Sequence, residues 1–218
     1  MRIVFLGINS IGQKVHDWLI DQGENIMVLF TEKEDLERVS ELKPDLIISA
    51  GFRHILGQEI LSIPTKGCIN FHKSMLPYNR GANPNVWTIL DDTPAGVSIH
   101  LMDKGIDTGP ILAQRKVQAE FEDTARTLYE KLEQAQWELF VDFWPEFKAG
   151  EISPKPQSHR GTFHQIADFK NLRRIDPEET YRALDLLNLL RAMTYPPFNN
   201  AHVELDGKRY YLKLDIIE

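Results

Sequence analysis

Residues 2–6 (Arg-Ile-Val-Phe-Leu) open the chain with a short, apolar, β-branched run that ends at Gly7, the pattern of a buried strand. Ile11, Val15, Trp18 and Leu19 then recur at helical spacing and predict a helix that stops near Gly23. Residues 26–30 predict a second strand, 35–42 a short charged helix closed by Pro44, and 45–49 (Asp-Leu-Ile-Ile-Ser) a third strand. Alternation of this kind predicts a Rossmann-like α/β fold, a mostly parallel sheet with helices on both faces. Further strands are expected at 68–71, 96–102 and 111–118. Asn83 and Pro84 offer an N-cap and first residue for a helix reaching about Leu90. A long amphipathic helix should begin near Asp123, with Leu128, Leu132, Ala135, Leu139 and Phe143 on one face.

Pro154 and Pro156 mark a change of character, which divides the chain into a main unit, 1–150, and a small α+β extension, 151–218. There the pattern predicts a helix from Pro177, capped by Asp176 and carrying Tyr181, Leu184, Leu187 and Met193. After the loop Thr194-Tyr195-Pro196-Pro197-Phe198-Asn199-Asn200, a β-hairpin of 201–205 and 208–214 should close around Asp206-Gly207. Its uncovered edge invites pairing with a second copy, so a homodimer is expected.

Composition narrows the partners. A formal net charge of −7 over 218 residues opposes a chain built to grip nucleic-acid backbones, so no nucleic acid is expected. One cysteine, Cys68, precludes an intrachain disulfide or a cysteine-based metal cluster and suits a reducing compartment. The first apolar run is too short for a signal-peptide core, and no 18-residue apolar stretch occurs. A cytoplasmic protein away from membranes is the expectation.

The segment 68–81 (Cys-Ile-Asn-Phe-His-Lys-Ser-Met-Leu-Pro-Tyr-Asn-Arg-Gly) and the later Asp107-Thr108-Gly109-Pro110 hold the candidate chemistry. Asn70 and His72 are two apart and share a face of an extended strand. Asp107 follows the next strand-like run. An amide donor, an imidazole and a carboxylate suit a tetrahedral acyl-transfer intermediate: amide and protonated imidazole hold the oxyanion, and the carboxylate orients the imidazole and assists proton transfer. His72 and Asp107 are expected to line an open cleft. Each of the three residues could instead cap a turn, and His100 reads as a supporting strand histidine. His159 and His164, five apart with no cysteine or carboxylate pair nearby, do not make a metal site. Gly7-x-Asn9-x-x-Gly12 imitates a dinucleotide fingerprint, but Asn9 replaces the glycine that admits a pyrophosphate; Glu32 sits where a ribose-binding acid would, so a nicotinamide-linked alternative has some content.

At Ile-Asn-Phe-His-Lys-Ser-Met-Leu-Pro-Tyr-Asn-Arg-Gly and His-Leu-Met-Asp-Lys-Gly-Ile-Asp-Thr-Gly-Pro the chain resembles the formyltransferases that use 10-formyltetrahydrofolate. The resemblance is sharpest over 67–114. It implies a catalytic unit at 1–150, a folate co-substrate without metal, and catalysis by Asn70, His72 and Asp107. It also implies a pterin-wrapping loop of Phe52, Arg53, His54, Ile55 and Leu56, facing Leu101, Met102, Ile106 and Asp107. The tail motifs look like those of sugar-nucleotide N-formyltransferases, which implies a nucleotide-linked amino-dideoxy sugar, dTDP ahead of UDP, as acceptor. Methionyl-tRNA formyltransferases of this superfamily add a separate β-barrel domain for the tRNA; roughly 65 residues follow the long helix here, so a tRNA acceptor is not expected. On the acceptor side the candidates are Asn9, Arg80, Gly81, Asn83, Phe163, His164, Tyr195 and Phe198. Arg80 offers a guanidinium for phosphate, and the Tyr195-Pro-Pro-Phe198 edge a surface on which a base can stack. A formyltetrahydrofolate hydrolase, a formyltransferase for another small amine and an idle binding module of the same fold stay open.

Overall fold

A computed structural model describes residues 1–7, 9–158 and 161–217, which leaves His159 and Arg160 outside the described residues. Strand β1 (Arg2–Leu6) leads into helix α1 (Ser10–Asp21), β2 (Asn25–Phe30), a 3-10 turn (Glu34–Arg38) that passes into α2 (Val39–Leu42), and β3 (Leu46–Ser49). The expected single helix at 35–42 is thus tightened over its first half, where only Leu36 is buried. A short α3 (Gln58–Leu61), not signalled by periodicity, precedes β4 (Cys68–His72), β5 (Arg80–Gly81) and α4 (Pro84–Leu90). Strands β6 (Gly96–Leu101) and β7 (Ile111–Lys116) and the long α5 (Ala125–Ala149) complete the main unit.

The six-stranded sheet has the order β2-β1-β3-β4-β6-β7. Its first four strands run parallel, and β6 and β7 are antiparallel additions. One face packs on α1, α4 and α5 through Ile3, Phe5, Ile48, Ile69 and Phe71; the other packs Val4, Leu6, Ile47 and Cys68 against the α2–α3 side. Helix α5 begins two residues later than Asp123 because Thr124 is its cap, accepting from the Thr127 N–H while Thr127 bonds back. The predicted stripe from Leu128 to Phe143 is buried.

The tail adds β8 (Phe163–His164), α6 (Ile166–Asn171), α7 (Ala183–Met193), the paired β9 (Thr194–Tyr195) and β10 (Phe198–Asn199), and the hairpin β11 (His202–Leu205) and β12 (Lys208–Tyr211). Helix α7 starts at Ala183 rather than Pro177. Asp176 caps only a turn, accepting from the Glu178 N–H, and its own N–H goes to the Tyr181 hydroxyl. Between 177 and 182 only Tyr181 can be buried, so helix there would gain little packing. Ile175, Ala192, Met193 and Ala201 join the same core as the main unit. Among the described residues no helix is long and apolar enough to cross a membrane.

Candidate active site

The carboxyl ends of β1, β3 and β4 converge where ligands bind in open α/β sheets. The β1–α1 turn is closed by its own residues. The Asn9 side chain caps α1 by accepting from the Gly12 N–H at 2.8 Å, and Gly51 packs against the same side chain. Asn9 is thus engaged in capping α1 and packing on Gly51, at the position where a dinucleotide fingerprint has its second glycine.

Asn70 and His72 leave the β4 face opposite Ile69 and Phe71, and Asp107 arrives from the β6–β7 connection with φ of 54°. His72 Nδ1 lies 3.5 Å from Asp107 Oδ2. The Nε2–H of His72 donates to the Asn79 carbonyl at 2.8 Å; a carbonyl can only accept, so Nδ1 is the nitrogen left for chemistry. The Asn70 amide lies 3.4 Å from Asp107 Oδ1 and 3.3 Å from His100 Nε2, and His100 Nε2 lies 3.4 Å from Asp107 Oδ1. His100 gives its Nδ1–H to the Leu101 carbonyl. This histidine, expected as a support residue, stands within the cluster because β4 and β6 pair Asn70 with His100. Gly81, at φ +88°, donates its N–H to Asp107 Oδ2 at 2.9 Å, and a Cβ there would collide with the His164 carbonyl.

The cluster is more enclosed than expected: His72 is only 6% exposed. Burial pushes the His72 imidazole below its ordinary pKa, opposed by the Asp107 charge and the Asn79 carbonyl. For Asp107 burial acts upward, but the His72 charge, the His100 bond and the Gly81 N–H together outweigh it and hold the carboxyl well below the usual range. Lys73 leaves the strand toward α5, its Nζ 4.5 Å from the Tyr129 ring centre; burial pushes its ammonium down to about 8, with Glu133 opposing.

Two residues not singled out as site candidates, Asn79 within the 68–81 motif and Gln157 outside it, hold this cluster. Asn79, fully buried at φ 54°, bonds Thr88, Thr93 and Thr162 through its side chain while its carbonyl holds His72. The Gln157 amide donates to the carbonyls of Asp107 (2.8 Å) and Gly109 (2.7 Å), and its oxygen accepts from Arg80 Nε and Nη2 at 3.1 and 2.8 Å. Arg80 is thus tied to Gln157 and the Ser158 carbonyl, rather than projecting free toward an acceptor. Only the run Ser-Pro-Lys-Pro-Gln that returns to the sheet at Lys155 hinted at Gln157.

The remaining candidates separate into two groups. Along the expected pterin loop Phe52 and His54 meet edge to face at 5.2 Å, Ile55 (73% exposed) and Ile106 (45%) are open, and Leu101 and Met102 are half-buried. The Leu56 side chain is sunk into the core beside Leu6, Phe30 and Cys68, which leaves its backbone, the part through which this loop is expected to wrap a pterin. On the acceptor side, Asn83, Tyr195 and Phe198 line a cleft of about 470 Å³ with Arg53, Asn85, Tyr129, Phe169 and Asn200. Asn83 heads α4 in the left-handed region, without a capping bond from its side chain. Tyr195 and Phe198 stand 5.9 Å apart at 46°. Phe163 and His164 do not line this cleft. They pair with Arg80 and Gly81, and His164 is already stacked on Trp87 at 3.8 Å and bonded to Asp91 at 2.9 Å. Among the described residues no group of three or more histidine, cysteine or acidic side chains could hold a metal ion.

An α/β sheet ending in an amide–imidazole–carboxylate cluster holds the kinds of group that acyl transfer uses. Residues 29–143 match the family described as formyl transferase, and residues 168–218 match a domain described as the N-formyltransferase dimerization C-terminal domain. The chain belongs to the formyl transferase family. It is 33% identical over 181 residues to the dTDP-4-amino-4,6-dideoxyglucose formyltransferase of Mycobacterium bovis, covering 82% of this chain and 76% of that protein. It is 37% identical over 173 residues to the methionyl-tRNA formyltransferase of Myxococcus xanthus, covering 79% of this chain. The chain spans about half the length of that relative (54%). A solved sugar N-formyltransferase from a Shewanella species matches 100% of this chain and 99% of its own, with a TM-score of 0.83 and 26% identity. The formyltransferase PseJ from Anoxybacillus kamchatkensis, solved with UDP-4,6-dideoxy-4-formamido-L-AltNAc and tetrahydrofolate, matches 78% of this chain and 89% of its own at 36% identity and a TM-score of 0.71.

Proposed function

We propose that this chain transfers a formyl group from 10-formyltetrahydrofolate to the amine of a nucleotide-linked amino-dideoxy sugar, with dTDP ahead of UDP as the nucleotide. The observations that carry this reading are the hydrogen-bonded Asn70–His72–Asp107 cluster, with His72 buried, and an open, aromatic-edged cleft at Tyr195 and Phe198. The relatives named for sugar amines, and the PseJ complex with tetrahydrofolate, support the same acceptor and donor classes. Phe52, His54, Ile55, Leu101, Met102 and Ile106 are the side chains proposed to meet the pterin. Arg53, placed on the cleft wall and expected on the folate side, then faces the diphosphate.

In the proposed mechanism the neutral sugar amine attacks the formyl carbon. The Asn70 amide, whose bonds to His100 and Asp107 are long, donates to the developing oxyanion. His72 Nδ1, a free base while Nε2–H is held by Asn79, takes the amine proton and passes it to the folate N10 as the carbon–N10 bond breaks and tetrahydrofolate leaves, while Asp107 stabilises the transient imidazolium. This differs from a protonated imidazole that grips the oxyanion, because Nε2–H is already committed. Residues 1–150 form the proposed catalytic unit. Residues 151–218 complete the acceptor site and, given the dimerization domain matched there, join two copies.

A formyl-donor assay with and without dTDP-amino sugars tests the reading. Amine-dependent turnover, with the sugar gaining the mass of one formyl group, is expected. Amine-independent turnover would establish a hydrolase instead, and turnover only with charged initiator tRNA would overturn the sugar acceptor.

A further inference from the structure

We propose that Asn85 reads the nucleobase: its side-chain oxygen accepts the ring imide N–H of a uracil- or thymine-type base stacked along Tyr195 and Phe198. This rests on the sugar-nucleotide reading above and deepens it at one atom.

Asn85 lies in the first turn of α4, and only 7% of its surface is exposed. Its Nδ2 donates to the Ala125 carbonyl at 2.8 Å. That bond fixes the polarity of the amide, since a reversed side chain would set oxygen against oxygen. Oδ1 accepts no hydrogen bond. Among the described residues only Gln136 keeps sealed side-chain atoms without a partner, so the Asn85 oxygen is not sealed, and Asn85 is part of the cleft wall. Buried polar groups are normally paired, and an acceptor held in fixed orientation at the wall of a ligand cleft awaits a donor. The aromatic edge at Tyr195 and Phe198 lines the same cleft, so a base can stack and meet Asn85 together.

Uracil and thymine present an N–H at ring position 3, whereas cytosine presents a lone pair there. Cytosine would place acceptor against acceptor, leaving both desolvated and unpaired. The difference should weaken binding by about ten- to a hundredfold.

Equilibrium binding of dTDP, CDP and N3-methyl-dTDP to the full chain tests this, with a stable folate analogue as a control for folding. The wild type should prefer dTDP over both others by that factor. Asn85→Ala should bring the dTDP-to-CDP ratio close to one while folate-analogue binding holds. If dTDP binds but N3-methyl-dTDP binds equally well, the Asn85 assignment is wrong while the sugar-nucleotide reading stands. If the wild type binds no nucleotide, that reading falls and takes this one with it. The N3-methyl comparison uses the unaltered protein, so it decides the matter even if Asn85→Ala does not fold.

Discussion

Both Asp107 carboxylate oxygens, the backbone carbonyl of the same residue and His72 Nε2 all have protein partners, whereas along the cleft at Tyr195 the Asn83 side chain, the Asn85 oxygen and the Arg53 guanidinium have none among the described residues. The first region is a network closed on itself, with Asn70, His72 and His100 on paired strands and Asp107 on the β6–β7 connection. The second is a surface whose polar groups await a ligand. Chemistry needs groups fixed before the substrate arrives, because preorganised dipoles need no rearrangement during reaction. Acceptor recognition can leave its bonds to be formed on binding. One fold can therefore keep the transfer chemistry constant while the cleft sets the acceptor.

The largest test of this contrast is the network itself. Asp107→Asn should lower turnover by about 10²–10⁴-fold, with dTDP affinity within a few-fold of wild type. His72→Ala should lose as much activity and should also destabilise the fold by about 1–3 kcal/mol, because the buried Asn79 carbonyl loses its donor. Thermal denaturation and single-turnover transfer check both. Near-normal turnover in a folded variant would break the proposed mechanism.

Gln157→Leu comes next. Loss of the amide frees the Asp107 and Gly109 carbonyls and the Arg80 side chain together. Displacement of the carboxylate by about an ångström should lower kcat by up to about 10²-fold. If Gln157 positions Asp107, the KM for the amino sugar should move far less than kcat; an equal loss in both would make the residue merely structural.

On the cleft side, alanine at Tyr195 or Phe198 should weaken dTDP binding by about five- to a hundredfold, the value of one stacked base. Folate-analogue binding should stay unchanged, which keeps the two regions separate. A folate effect as large as the nucleotide effect would merge them.

A smaller effect is expected in the pH profile. With the His72 pKa lowered by burial, kcat/KM should rise with pH through a value below the ordinary 6.5 of histidine and then level off toward pH 8. The Asp107 charge favours the imidazolium, so its removal in Asp107→Asn should move the acid limb to still lower pH. A limb moving upward would contradict a His72 base. The smallest effect belongs to Cys68, buried in β4, whose thiol is pushed up to about 12 by desolvation. It should ignore thiol reagents at pH 8 until the protein unfolds.

Periodicity alone placed the strands at 2–6, 26–30, 45–49 and 68–71 and the stripe of α5, because burying apolar side chains on one face needs only local spacing. Spacing also joined Asn70 to His72, two residues apart on one strand. The start of α7 was not legible, since a good capping residue at Asp176 had no packing to support it. The bonds that His100, Asn79 and Gln157 make were hidden for another reason. Their roles depend on which strand lies beside β4 and on a carboxyl-terminal segment returning across the sheet, and neither contact leaves a periodic mark in the chain. Arg80 and His164 carried the right chemistry for an anionic acceptor, yet both are held by protein partners, Gln157 and the Trp87–Asp91 pair. The sequence by itself determined the elements and the residue types available for acyl transfer. Only the tertiary structure decided which polar groups satisfy one another and which stay open, because hydrogen-bond partners are set by proximity across the fold.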